Sequence, residues 1–344
     1  MGVVATLEKL LPVLLAFGCG AVLARRKVVP AEASKAFADY AFLFAVPCYL
    51  FGSIYASDLG ALFDWRALSG YAATAALAAL AVALAARASG IREPRGVALR
   101  VMAGVQVNTA YFAVPVFITV FGDAAPIFPV LLFQVCVLSL VVISVMELGR
   151  SGDRAGDPAG GGGAVGAEDG AGAVAGTAGR GAPGRDSRPA RLARAVGTSL
   201  TTPLVLACNA AILLNLVSLP VPKLLLDGFA FVGDSASPVA LFALGLHLGG
   251  VGLGLRGTTR EEIALIAFKC LGFPLLAWAV CGGLFGVRGD WLRYLVLIAA
   301  MPTPQNLFVF AQRYDVGVDL SAALVIKCSV GALLLLPLWI AWAS

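Results

Sequence analysis

The chain has 344 residues, of which 60% are hydrophobic and only 13% are charged, and its mean hydropathy is +0.90. Soluble domains contain about 45–50% apolar and about 25% charged residues, so this composition excludes an ordinary soluble domain and indicates an integral membrane protein. The formal net charge of +5 reports the orientation of the chain in a membrane, because its basic residues concentrate between apolar stretches, and we expect no nucleic acid partner.

A transmembrane helix needs about 20 predominantly apolar residues, and ten stretches of this kind follow one another along the chain. They predict an all-α integral membrane protein with ten transmembrane helices, five in each half. The stretches cover residues 5–24, 37–56, 67–86, 98–121, 126–147, 199–219, 224–248, 262–285, 294–312 and 320–342.

Residues 149–197 separate the two halves and differ from both. Fifteen of these 49 residues are glycine and none is aromatic. Such a segment buries too little apolar surface to offset its ordering entropy. We therefore predict a flexible, disordered cytoplasmic linker between a first five-helix repeat, residues 1–148, and a second one, residues 198–344.

The basic residues indicate how the helices are oriented. With the N-terminus outside, the predicted inner loops hold 11 basic residues even when the linker is left out, and the outer loops hold five. Loops with more Lys and Arg lie on the cytoplasmic side. The sequence thus predicts a multi-pass protein of the cell membrane with both termini outside and the linker in the cytoplasm.

The two halves share features in the same order. The second stretch is expected to break at Pro47 and the seventh at Pro238, while the fourth and ninth are interrupted by residues 108–115 and 302–306. An odd number of helices per half makes the second half enter the membrane from the opposite side. We therefore predict a 5+5 inverted repeat.

The interrupted fourth and ninth stretches predict a binding site. Proline leaves backbone groups unpaired, which is tolerated only in contact with protein or with a wet cavity. Both interruptions lie near mid-depth, so we expect broken helices four and nine to cross at the bilayer centre. The half-helix after each break offers free N–H groups and a positive dipole end to an anion. The predicted substrate contacts are Asn108, Thr109, Pro115, Pro302, Thr303, Pro304, Gln305 and Asn306.

A structural role for these polar side chains, as hydrogen-bonding contacts between helices, is the alternative. The same question applies to charged residues within the stretches, since a lone charge in a membrane must be paired, face the interior or reach the surface. We expect Lys269 to extend to the membrane surface. Lys327 flanks the ninth stretch and Asp234 lies in the seventh, and these two are the candidates for compensating the anion or coupling its transport.

Enzymatic and metal sites are not expected. The seven cysteines show no metal-ligand spacing, and neither an HExxH motif nor a Gly-x-Ser-x-Gly motif is present. Asp234 and Asp315 occur in motifs that faintly resemble those of intramembrane aspartyl proteases, but in the reverse chain order. We predict no catalytic residues, no metal and no cofactor, and either H⁺ or Na⁺ remains open as a coupling ion.

Several short motifs, in order, resemble the auxin efflux carrier family. Val107-Asn108-Thr109 with Phe112-Ala113-Val114-Pro115 is similar to a family motif in the fourth helix, Phe310-Ala311-Gln312-Arg313-Tyr314 to one in the ninth, and Phe44-Ala45-Val46-Pro47 to the second-helix signature. Gln134 in the fifth helix also fits, and we include it among the predicted substrate contacts. The resemblance implies that Asn108 is the asparagine that contacts substrate.

The resemblance further implies a scaffold of helices one, two, six and seven beside a mobile transport domain. Together these features predict a secondary transporter, an efflux carrier of small organic acid anions that works by elevator-type alternating access. The expected partners are the small organic anion, the lipid bilayer and a second copy of the chain bound through the scaffold helices. The alternatives are a sodium-coupled organic anion symporter of the bile acid type, which shares the implied fold, and a membrane sensor.

Overall fold

The computed structural model of the protein describes residues 3–153, 203–251 and 257–343. Within these ranges the chain forms helices and no strand, as the composition predicts. The predicted linker falls almost entirely outside the described residues. Its first five residues, 149–153, are described and continue the helix Ser139–Asp153.

The helices are separated by short turns and by segments of π-helix. The α-helices of the first half are Val3–Arg25, Ala33–Tyr40, Val46–Ala56, Leu59–Leu62, Trp65–Ala88, Pro94–Val105, Val114–Phe121, Ile127–Phe133 and Ser139–Asp153. Those of the second half are Pro203–Leu216, Lys223–Gly233, Ala236–Val251, Arg260–Ala267, Phe273–Ala277, Gly289–Ala299, Asn306–Tyr314 and Val318–Ala343. The π-helical segments are Ala41–Ala45, Thr109–Ala113, Gln134–Leu138, Phe268–Gly272 and Trp278–Leu284.

Six helices of the described part, with their π-helical turns included, are long and apolar enough to cross a membrane. They match the second, third, fifth, seventh, eighth and tenth predicted stretches, and two shorter apolar helices, Leu15–Arg25 and Pro203–Leu216, fall in the first and sixth. Large apolar side chains such as Leu224, Phe231 and Leu334 are exposed on the outside of these helices, where lipid would cover them. The six spanning helices are Ala33–Ala56, Trp65–Ala88, Ile127–Met146, Lys223–Gly250, Arg260–Leu284 and Val318–Trp342.

Pro47 interrupts the second stretch less than Pro302 and Pro304 interrupt the ninth, where they lie in a non-helical segment. Pro47 lies in the first turn of Val46–Ala56, directly after the π-helical segment Ala41–Ala45. Proline is tolerated in a first turn, and a π-helical turn changes the hydrogen-bond register without ending the helix. The expected break at Pro47 is therefore a π-helical turn within a continuous span.

Helix Val3–Arg25 packs along Ala236–Val251 over much of its length. Small residues make this close approach feasible. A Cβ atom added to Gly245 would lie 2.1 Å from the carbonyl oxygen of Phe17, and one added to Gly249 would lie 2.5 Å from that of Ala21. The two backbones are thus in contact, and this pair forms a closely packed element beside the interrupted helices.

Candidate functional site

The two interrupted stretches meet in the interior. The first interruption is residues 106–108, between helix Pro94–Val105 and the π-helical segment that begins at Thr109; the second interruption is residues 300–305, between Gly289–Ala299 and the helix that begins at Asn306. The backbone N–H of Asn108 donates to the carbonyl of Pro302 at 2.8 Å. One interruption therefore supplies a backbone acceptor to the other.

Gln134 pairs a second amide of the first interruption. Its Oε1 accepts a hydrogen bond from the backbone N–H of Val107 at 2.8 Å, which would otherwise be a buried donor without an acceptor. The side chain is buried, and its Nε2 has no hydrogen-bond partner among the described atoms. Gln134 thus stabilises the interruption with one end of its amide and keeps a buried donor at the other end.

Thr303 pairs a carbonyl near the end of the helix that precedes the first interruption. Its Oγ1 donates to the carbonyl of Ala103 at 2.8 Å. The last carbonyls of a helix lack an intrahelical donor, so this bond satisfies one that the end at Val105 leaves open. Each interruption therefore contributes hydrogen bonds that the other needs, and neither would be stable in lipid alone.

Pro115 lies beyond the crossing and anchors the half-helix Val114–Phe121. Its carbonyl accepts from the hydroxyls of Thr119 at 2.8 Å and of Ser237 at 2.9 Å, and these two hydroxyls are 2.9 Å apart. Ser237 belongs to Ala236–Val251. The contact holds the half-helix against the helix pair Val3–Arg25 and Ala236–Val251. The geometry therefore gives Pro115 a role in positioning the half-helix.

The remaining predicted contacts surround this core. Asn108 and Thr109 are buried, as are Pro302 and Pro304, whereas Gln305 and Asn306 are partly buried. The Oδ1 atom of Asn306 is shielded from solvent and has no hydrogen-bond partner among the described atoms. Because Asn306 opens the helix Asn306–Tyr314, its amide lies at the positive end of that helix dipole.

The arrangement suits an anion better than a cation. The helix that begins at Asn306 directs the positive end of its dipole to the site, and the free Nε2 of Gln134 adds a side-chain donor. The first amides of that helix, those of Leu307 and Phe308, bond to the Pro304 and Gln305 carbonyls. Donors and positive dipole ends in a dry interior favour a carboxylate. Among the described residues no group of three or more His, Cys, Asp or Glu side chains could hold a metal ion.

The two charged residues among the candidates, Lys327 and Asp234, have different surroundings. Lys327 is buried and forms an ion pair with Glu262, and its Nζ also donates to Thr258 Oγ1 at 3.2 Å. Its charge is therefore already matched by a carboxylate. Asp234 is exposed at the end of helix Lys223–Gly233, near Tyr49.

The prediction for Lys269 is wrong. Its side chain is 0% exposed and its Nζ lies 4.6 Å from the centre of the Phe273 ring, so it does not extend to the membrane surface. Lys269 belongs to the π-helical segment Phe268–Gly272, which packs against Pro94–Val105 and Val318–Ala343. The sequence indicates how deep Lys269 lies along its stretch, but the direction of its side chain depends on this π-helical turn.

Comparison with known proteins identifies the family of the chain. Residues 5–340 match the family model described as "Membrane transport protein". A protein of Rhizobium meliloti (strain 1021) named "Putative malonate transporter" is 28% identical over 151 residues, which are 42% of this chain and 45% of that relative. The aligned part is thus less than half of the relative's length. Since the family model covers almost the whole chain, the protein belongs to the membrane transport protein family, the family of the auxin efflux carriers.

Proposed function

We propose that the protein is a secondary transporter of small organic acid anions and that its substrate binds where the two interruptions meet. The observation that carries the proposal is the hydrogen bond from Asn108 N to Pro302 O, because it joins two half-helix starts at one buried point. Gln134 Nε2 provides a hydrogen-bond donor there that no described residue uses. The name of the Rhizobium relative favours a small dicarboxylate such as malonate as the first substrate to test.

We further propose the ten-helix inverted repeat with crossing fourth and ninth helices as the architecture. Its support is that the helices pack in two groups. The proposed scaffold combines the first, second, sixth and seventh stretches, which pack together through the pairs Val3–Arg25 with Ala236–Val251, Val46–Ala56 with Pro203–Leu216, and Val46–Ala56 with Lys223–Gly233.

The proposed transport domain contains both interruptions. Helix Val318–Ala343 packs on Arg260–Ala267 and Asn306–Tyr314, and Pro94–Val105 packs on Trp65–Ala88. In an elevator mechanism this group would slide along the scaffold with its bound anion. The contacts between the groups, such as Thr119 with Ser237 and Tyr49 OH with the Gly122 carbonyl at 2.9 Å, would then exchange during transport.

Uptake into proteoliposomes tests this function. The purified chain would be reconstituted and assayed with labelled malonate, other dicarboxylates, monocarboxylates and indole acids, each under an imposed H⁺ gradient, an imposed Na⁺ gradient or neither. We expect saturable movement of at least one carboxylate and export as the physiological direction. A sodium requirement would favour the symporter alternative, and the absence of carboxylate movement under every gradient would contradict the proposal.

A further inference from the structure

A buried lysine beside the proposed site has no counter-charge. Lys269 is completely buried, its Nζ has no hydrogen-bond partner among the described atoms, and its Nζ lies 4.6 Å from the centre of the Phe273 ring. An ammonium group away from water is unfavourable unless it is paired. A cation–π contact compensates for only part of that loss. The ammonium form of Lys269 therefore requires an anion beside it, which no described residue supplies.

The segment of Lys269 packs against Pro94–Val105, the helix that leads into the first interruption, and against Val318–Ala343. The preceding residue, Phe268, packs on Gly104, since a Cβ atom on Gly104 would lie 3.5 Å from the Phe268 ring. The following residue, Cys270, directs its Sγ to the Cys328 carbonyl at 3.8 Å, and Cys328 lies beside Thr303 of the second interruption. The lysine is thus one residue away from contacts that lead to each interruption.

The second buried lysine provides an internal comparison. Lys327 is also buried, but Glu262 neutralises its charge and Thr258 accepts a hydrogen bond from it. Buried lysines with such partners are common structural ion pairs. Lys269 lacks this arrangement, although it occupies the more enclosed position. The difference points to a ligand that arrives from outside the protein.

We propose that Lys269 supplies the positive charge that stabilises the bound anion, and that its amine takes up one proton from solvent as the anion enters; this inference rests on the proposed function. An approaching carboxylate favours the ammonium form, just as a fixed carboxylate would. The proton and the anion therefore bind together, and binding of each strengthens binding of the other. No bond other than the new N–H is formed, and the proton comes from water.

The other titratable groups around Lys269, in the part of the chain that the structure describes, are thiols, a phenol and side chains already in ion pairs, so we assign the proton uptake to the lysine. Two thiols interact electrostatically with Lys269, that of Cys270 on the same segment and that of Cys328 on Val318–Ala343. Tyr71 of Trp65–Ala88 lies on Phe273 with ring centres 6.2 Å apart. The nearby charged side chains, Arg100 and Glu262, are engaged in ion pairs with Glu261 and Lys327.

Proton uptake during malonate binding tests the inference. The full chain in detergent would be titrated with malonate in weakly buffered solution containing a pH indicator, while affinity is measured by calorimetry across the neutral range. We expect wild type to take up protons as it binds. Lys269→Met should take up none and bind at least about tenfold more weakly. Lys269→Arg should bind without proton uptake, because its guanidinium is already charged.

Two cysteine variants are the controls. Cys270→Ala and Cys328→Ala keep the lysine, so they should keep proton uptake. The inference is wrong if wild type binds malonate without taking up protons, if Lys269→Met binds as tightly as wild type, or if proton uptake survives in Lys269→Met and disappears in a cysteine variant. If wild type binds neither malonate nor any other carboxylate, the proposed function fails and this inference with it.

Discussion

At the scale of single residues, the site depends on polar groups whose partners come from distant parts of the chain. The Val107 amide bonds to Gln134, and the Ala103 carbonyl bonds to Thr303. The sequence indicates which residues are polar and at what depth they lie. It does not indicate that Gln134 pairs a backbone group, because that depends on the π-helical segment Gln134–Leu138, which shifts the register of the helix.

Charged residues show the same limit. Lys269 and Lys327 both lie within apolar stretches of the sequence. The sequence predicts that Lys269 extends to the membrane surface and makes Lys327 a candidate for compensating the anion. The structure pairs Lys327 with Glu262 and encloses Lys269 without a carboxylate. Hydropathy reports how deep a lysine lies, whereas its partner is decided by which helices pack together.

Replacing Gln134 with Leu should weaken the first interruption. Leucine has a similar volume, but the substitution removes the acceptor of the Val107 N–H. A buried unpaired donor costs about 1–3 kcal/mol. We expect a lower midpoint of thermal unfolding in detergent and slower malonate uptake. Ser139→Ala is a suitable control, since it removes only the 3.3 Å bond from Gln106 Nε2. A Gln134→Leu protein as stable as wild type would show that the amide finds another acceptor.

At the scale of elements, apolar stretches are predicted well because length and hydropathy decide them. The second stretch was placed at residues 37–56 and the helix is Ala33–Ala56. The effect of proline is less predictable. Pro47 produces a π-helical turn, whereas Pro302 lies in a non-helical segment. In the ninth stretch the Pro302 carbonyl accepts from the Asn108 amide of the other interruption, a partner that the sequence alone does not indicate.

The close helix pair predicts a large effect of one methyl group. In Gly245→Ala the new Cβ would meet the Phe17 carbonyl oxygen at 2.1 Å, so the helices must separate, at a cost of about 1–3 kcal/mol. Thermal unfolding in detergent measures this loss.

Gly228→Ala is the matched control for that variant. Gly228 also lies in a helix, but nothing is within 4 Å of its added Cβ. This variant should be stabilised by about 0.5–1 kcal/mol, because alanine is the better helix former. Equal unfolding midpoints for the two variants would contradict the close packing of Val3–Arg25 on Ala236–Val251.

At the scale of the whole molecule, the family and the membrane location follow from composition and from the order of short motifs, and the family match over residues 5–340 confirms them. The inverted repeat, the division into scaffold and transport domain, and the elevator movement stay proposals. The repeat and the two domains depend on how distant helices pack, and the elevator movement depends on how they slide. The pattern of a single sequence contains little information on either.

The linker separates two functional classes. Deleting residues 155–185 should leave malonate uptake by proteoliposomes close to the wild-type rate, because a transporter needs the linker only to connect its two halves. A sensor would need the segment to pass on its signal. Loss of uptake in a deletion protein that still inserts and unfolds cooperatively would therefore argue against a simple carrier.

The central claim is that the two interruptions form one anion site, and the apparent affinity of Asn108→Ala tests it most directly. The substitution removes the side-chain amide but keeps the backbone bond from residue 108 to the Pro302 carbonyl, so the crossing itself should persist. We predict that the KM for malonate uptake in proteoliposomes rises about tenfold or more, as expected for the loss of a hydrogen bond to a charged group, with unchanged thermal unfolding. An Asn108→Ala protein with wild-type KM and wild-type rate would place the substrate elsewhere.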